Sequence, residues 1–204
     1  MAIFLWPFLF VGDKMKTFIE FLNEDININK PLIVVDIQPE YQRFCKKLIT
    51  KKFIDIINNQ KNIIWFWNGE DYTNDTKEKL INWLNDFDID TDHIIFIEKG
   101  YGFFRDWMDM GIDSSTIISV IREMVLKKVT NSDDLDPEYI DKITDGATHI
   151  SNIYLPNISI SMLKKLSGAY ICGGGKNECL WEIELLMNAF NIKYTELKDF
   201  IYEG

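Results

Sequence analysis

The chain has 204 residues, 47% of them hydrophobic and 26% charged, with a formal net charge of -10. That length and apolar content suit one globular domain with a sizeable core, and the acidity argues against a broad nucleic-acid surface, which needs clustered Lys and Arg. Cys45, Cys172 and Cys179 form neither an even disulfide framework nor a CxxC pair, so free thiols in a reducing, cytoplasmic setting are expected.

Residues 1–30 read as an N-terminal segment outside the functional core, with a single domain at 31–204. MAIFLWPFLF is apolar but far shorter than the roughly 20 residues that span a bilayer. It lacks the basic start and small-residue cleavage site of a secretory signal, and Pro7 interrupts it. An arm packed on the body, an oligomer contact or a leader are the readings left, with Met15 as an alternative start. No membrane partner is expected.

Pro31 to Ile37 (PLIVVDI) is a continuous apolar, β-branched run, the pattern of a central parallel strand buried on both faces. Asp36 falls at its carboxyl end, where open α/β sheets bind ligands. Pro39 suits the first turn of a helix over roughly Glu40 to Asn58. Asn62 to Trp67 is a second strand, followed by the polar loop NGEDYTND and a helix over Asp75 to Phe87 with Leu80, Ile81, Trp83 and Leu84 at helical spacing. His93 to Ile97 is a third strand, ending in Glu98-Lys99-Gly100. The aromatic stretch YGFFRDWMDMG reads as a loop and short helix over the sheet's end. Ser114 or Ser115 caps a helix running to Lys128. Thr130 to Gly146 is acidic and turn-rich, an irregular insertion with room for one short helix at Pro137 to Ile143. Ser159 to Leu166 is a short helix feeding a strand at Ala169 to Cys172. Three glycines then lead into an amphipathic helix that opens near Asn177. Ile192 to Thr195 is a final strand and Leu197 to Gly204 a tail. Strands alternating with helices predict a three-layer α/β/α Rossmann-like fold with a mainly parallel central sheet.

Three of these strands end in residues able to do chemistry: Asp36, Lys99 and, after the glycines, Cys179. Carboxyl ends of parallel strands share one rim, so residues far apart in sequence can converge there. In the first turn of a helix, Cys179 meets free N–H groups and the positive end of the macrodipole, which predicts a thiolate. An Asp beside a thiol can take its proton, and a Lys ammonium fixes the carboxylate. Backbone N–H groups at the glycine turn can hold an oxyanion. Together these make a set for acyl or C–N bond hydrolysis through a thioester. Each also has a structural reading: Asp36 as a helix cap, Lys99 as a solvated loop residue, Cys179 as packing. His93 and His149 stand at no metal-ligand spacing, so neither a metal nor a cofactor is expected.

At these positions the sequence resembles the isochorismatase-like cysteine hydrolases, which include nicotinamidases and related amidases. Val34-Val35-Asp36-Ile37-Gln38 is similar to the family's apolar strand ending in Asp-x-Gln. Lys99-Gly100-Tyr101-Gly102-Phe103-Phe104 is similar to its Lys-x-x-(Ser/Gly)-Ala-Phe loop. Cys172-Gly173-Gly174-Gly175-Lys176-Asn177-Glu178-Cys179 has the spacing of its Cys-Gly-Val-Ala-Thr-Asp-x-Cys stretch. The resemblance implies Asp36 as base, Lys99 as partner and Cys179 as nucleophile. It further implies a cis peptide at Gly174-Gly175, an oxyanion hole from the N–H groups of Gly175 and Cys179, a small-molecule substrate and a homo-oligomer. The turn before the nucleophile reads Gly-Gly-Lys-Asn where the family has Val-Ala-Thr-Asp. Trp67-Asn68-Gly69-Glu70-Asp71 lacks the histidines of metal-dependent nicotinamidases.

Substrate contacts are assigned to Gln38, Trp67, Tyr101 and Phe104, within a wider set of aromatics near the rim that includes Tyr41, Phe44, Trp65, Phe103 and Trp107; of these Trp65, on a strand, is expected in the core. The leading expectation is a cysteine-dependent hydrolase of a small amide or related C–N bond. The alternatives are a repurposed family member acting as a binding protein, and a metal-dependent nuclease of the PIN or NYN kind using Asp36, Asp71, Glu178 and Glu182.

Overall fold

The computed structural model describes residues 26–100, 102, 104–147 and 151–204. The expectations for residues 1–25, Tyr101, Phe103 and His149 fall outside them.

The first strand, β1 (Leu32–Val35), has every side chain buried. Its alternation splits those side chains between two cores, as the two-residue period of a strand requires. Ile33 and Val35 enter one apolar cluster, and Leu32 and Val34 enter the other. A sheet whose middle strand is apolar on both faces must be covered on both, and helices do this. Beside β1 lie β2 (Ile63–Asn68) and β4 (Ala169–Gly173); β3 (Ile94–Lys99) and β5 (Tyr194–Ile201) form the edges. All pairings are parallel, in the order β3-β2-β1-β4-β5. The fold is a three-layer α/β/α sandwich of Rossmann-like type, as the sequence predicts.

Helices α1 (Gln42–Cys45), α2 (Lys51–Asn59) and α3 (Lys77–Asn85) follow the first two strands. The single helix expected over Glu40 to Asn58 is broken. Short 3-10 turns at Pro39–Tyr41 and Lys46–Leu48 flank α1, and Thr50 starts α2 afresh by accepting the Phe53 N–H. A Thr hydroxyl at that position satisfies an N–H that a continuous helix would have bonded internally. Then come α4 (Phe104–Asp109), α5 (Ser114–Lys127), α6 (Pro137–Ile143) and α7 (Ile160–Lys165). Asp113, not Ser114 or Ser115, caps α5, its carboxylate accepting from Ser115 and Thr116. The insertion before β4 is tied down by a bridge between Asn131 and Tyr154.

The last helix is α8 (Cys179–Ala189), with eight buried residues packed beneath β4 and β1. The expected tail is instead strand through Ile201, with Phe200 and Tyr202 buried. It mixes charged and apolar residues, YTELKDFI, and only Phe200 within it is buried, as suits an edge strand. Among the described residues no helix is long and apolar enough to cross a membrane.

Candidate active site

The order 3-2-1-4-5 reverses between β1 and β4, and crevices open at such switch points beyond the carboxyl ends of the strands. Val35, the last residue of β1, pairs with Gly173, the last of β4. Asp36 follows at once in a left-handed conformation (φ 49°), unusual for a residue with a side chain though tolerated by Asp. It is fully buried. Lys99 ends β3 opposite Asn68 at the end of β2, and Cys179 opens α8.

These positions converge. Lys99 Nζ lies 3.1 Å from Asp36 Oδ2, 3.7 Å from Glu182 Oε2, and donates to Asn68 Oδ1 at 3.2 Å. Asn68 in turn places its Nδ2 3.3 Å from Asp36 Oδ2 and 3.0 Å from the Tyr41 hydroxyl. Lys99 is only 3% exposed. Burial disfavours its charge, but Asp36, Cys179 and Glu182 outweigh that and hold the ammonium well above its ordinary range.

Cys179 is 7% exposed. Burial first, and the Asp36 carboxylate second, push its thiol far up; Lys99 opposes them, and Glu182 adds to the rise. The thiolate expected from the helix start is therefore corrected: the resting group is a thiol. Desolvation and two carboxylates exceed what one helix terminus and one shared ammonium provide. Asp36 couples to this thiol as charge and as acceptor. Yet Asp36 Oδ1 has no partner at normal hydrogen-bond geometry, so the contact is long or angled at rest.

The glycine turn is made without the expected cis bond, since every described peptide is trans. Left-handed backbone does the work at Gly173 (φ 111°) and Gly175 (φ 57°). A Cβ on Gly173 would stand 2.0 Å from the Val35 carbonyl oxygen, and one on Gly174 would stand 1.5 Å from Tyr202 Cζ. Only glycine allows β4 and Tyr202 to come so close. Glu178 and Leu180 N–H groups turn back onto the Gly175 and Gly174 carbonyls. Among the described residues no backbone carbonyl takes the N–H of Gly175 or Cys179.

A cleft of about 480 Å³ leads to Cys179, lined by Tyr41, Arg43, Phe44, Glu178 and Tyr202 among others. Phe44 and Tyr202 stack with ring centroids 6.0 Å apart and planes within 2°, and Arg43 lies 4.4 Å over the Phe44 ring. The Tyr202 hydroxyl donates to the Asp36 carbonyl oxygen at 2.9 Å.

The residues assigned to substrate fare differently. Gln38 is fully buried and structural: its Nε2 donates to the Asn68 carbonyl and to Asp75 Oδ2, and its Oε1 accepts the Asn68 N–H. Trp67 and Phe104 belong to opposite cores and do not line the cleft. Both faces of β2 are buried, so Trp67 is core whichever way it points, and Phe104 lies on the inner face of α4. Trp65 is core, as expected for it, and Trp107 is core as well. Tyr202 and Asn68 are site residues that the motifs do not contain, and Glu182, a candidate only for the nuclease alternative, stands here beside Lys99. Tyr202 was hidden by the assumption of a tail, and Asn68 by the search for histidines around it. Glu182 stands three residues beyond Cys179, a spacing that puts both on one face of the helix. Among the described residues no three His, Cys, Asp or Glu side chains gather as a metal cluster; Lys99 stands between Asp36 and Glu182, and Asp71 is exposed.

No family model and no curated protein matches the sequence. Among solved structures the chain is similar to a ribonuclease of Caenorhabditis elegans, MAR1, at 13% identity and a TM-score of 0.42. That likeness covers 86% of this chain and 66% of the ribonuclease, just under two-thirds of its length. A likeness of that size bears on neither substrate nor chemistry.

Proposed function

We propose that the protein is a cysteine hydrolase that splits an amide or related C–N bond of a small molecule through a thioester on Cys179. The observation that carries this reading is the meeting of an Asp36–Lys99 pair, 3.1 Å apart, with a helix-start cysteine at the mouth of a switch-point cleft. Asp36, fixed as a carboxylate by Lys99, takes the Sγ proton as sulfur attacks the carbonyl carbon. The N–H groups of Gly175 and Cys179 hold the developing oxyanion. As the C–N bond breaks, protonated Asp36 returns its proton to the leaving nitrogen. Water, deprotonated by the same carboxylate, then cleaves the thioester, releasing acid and restoring the thiol. The resemblance to isochorismatase-like hydrolases supports the same roles, with a homo-oligomer as its corollary, and the three free cysteines support a cytoplasmic setting.

One observation favours a second reading, a repurposed member that binds without turnover: Cys179 is held as a thiol by burial and two carboxylates. p-Nitrophenyl acetate separates the two. A burst of nitrophenolate, with one acetyl group located on Cys179 by peptide mass and lost in Cys179→Ala and Asp36→Asn, supports the hydrolase. Acetylation elsewhere, or a burst unchanged in both variants, sinks it.

A further inference from the structure

Glu182 takes no part in the steps above, yet it touches their machinery. The Lys99 ammonium has three N–H bonds. Asp36 Oδ2 at 3.1 Å and Asn68 Oδ1 at 3.2 Å take two, and Glu182 Oε2 stands at 3.7 Å from the same nitrogen. Glu182 follows Cys179 by nearly one helical turn, so the two share a face of α8. It is 8% exposed. The loop after β3 presses on it: Gly102 donates its N–H to the carboxylate, and a Cβ on Gly102 would lie 2.5 Å from the carboxyl carbon.

A dry site with two carboxylates and one ammonium cannot satisfy both anions equally. We propose that Glu182 is a second carboxylate on Lys99, a positioning residue whose proton decides how far the ammonium is committed to Asp36 and so how readily Cys179 reacts. This rests on Asp36, Lys99 and Cys179 being the reacting set. When protonated, Glu182 leaves Lys99 to Asp36. When ionised, it draws the ammonium and adds a negative charge beside the sulfur, opposing the thiolate.

The groups facing Glu182 are Lys99 from β3, Asp36 from the turn after β1, the Gly102 N–H, and Cys179 and Glu178 on its own side of the cleft. Arg105 faces Glu178 instead, at 3.5 Å. Burial pushes the Glu182 carboxyl up, Lys99 pulls it back, Asp36 pushes again, and the balance lies at about 7. The exchange therefore falls within the neutral range.

The test is the rate of Cys179 alkylation by iodoacetamide on the full chain, located by peptide mass, between pH 5.5 and 9. An isolated thiol below its own pKa gains about tenfold in rate per pH unit. The wild-type profile is expected to break near pH 7 and rise less steeply above it. Glu182→Gln removes the break and reacts several-fold faster at pH 8.5, and Glu182→Asp restores it. A wild-type profile without a break overturns the proposal, whether or not Glu182→Gln folds, and so do superimposable wild-type and Glu182→Gln profiles. A break at Cys179 with no acetyl transfer from the nitrophenyl ester refutes the hydrolase alone; acetyl transfer with no break refutes the role of Glu182 alone.

Discussion

Replacing Lys99 with Met tests whether the site is held together by its ion pair. The side chain is 3% exposed and Asp36 is fully buried, so water screens neither charge. Without the ammonium, Asp36 Oδ2 keeps only Asn68 Nδ2 at 3.3 Å. Removing one partner of a buried pair typically costs about 3–5 kcal/mol, because the other charge stays desolvated. In a domain of this size each kcal/mol is worth roughly 2–4 °C, so Lys99→Met should lower the melting midpoint by roughly 6–20 °C at pH 7. The folded-state pKa of Lys99 is raised above its ordinary 10.5. Its stabilisation is therefore fully present below pH 10.5 and is lost only as pH rises through the folded value. Urea unfolding followed by tryptophan fluorescence gives the free energies, and the double variant Asp36→Asn/Lys99→Met should recover most of the loss. A single variant within about 0.5 kcal/mol of wild type would refute the reasoning. So would a Lys99→Met cost that is unchanged in the Asp36→Asn background.

Gly173→Ala should abolish soluble folding or cost on the order of 4 kcal/mol, since its Cβ meets a backbone oxygen of β1. Gly168→Ala, also at positive φ (80°) but with open space around it, should cost only about 1–2 kcal/mol by thermal melting. Tyr202→Phe removes the hydrogen bond to the Asp36 carbonyl and should cost about 1 kcal/mol in urea unfolding while leaving the ring stack intact. Glu182 and Glu184 are both pushed up to about 7 by burial, so each carboxyl binds its proton more tightly folded than unfolded. Their contribution is fully present below the ordinary value of 4.5 and is lost as pH rises to about 7. The melting midpoint should fall over that window, and a Glu182→Gln/Glu184→Gln variant should flatten the fall.

The strands and the convergence of Asp36, Lys99 and Cys179 were legible because they follow from local pattern. LIVV is apolar on both faces, and a strand apolar on both faces belongs in the middle of a covered sheet, whose ends share one rim. What escaped was set by neighbours distant in sequence. The thiol state of Cys179 depends on Asp36 and Glu182, which no local helix-start rule contains. Trp67 is placed at the rim by sequence, but helices cover both faces of β2, so every position on that strand is core. The strand at Tyr194–Ile201 was obscured by Glu196, Lys198 and Asp199, which suit a solvated edge as well as a tail. The break at residues 46–50 turned on one hydroxyl cap.

The hydrogen bond between Tyr202 and the Asp36 carbonyl spans 166 residues. Closing so long a loop carries an entropic cost that is repaid only after the strands between have paired, and contacts of this range slow folding. On a ribosome the first strand and its aspartate emerge long before the tyrosine that roofs them. The cleft is thus among the last features to form, and a chain caught partway has its sheet begun but its pocket open.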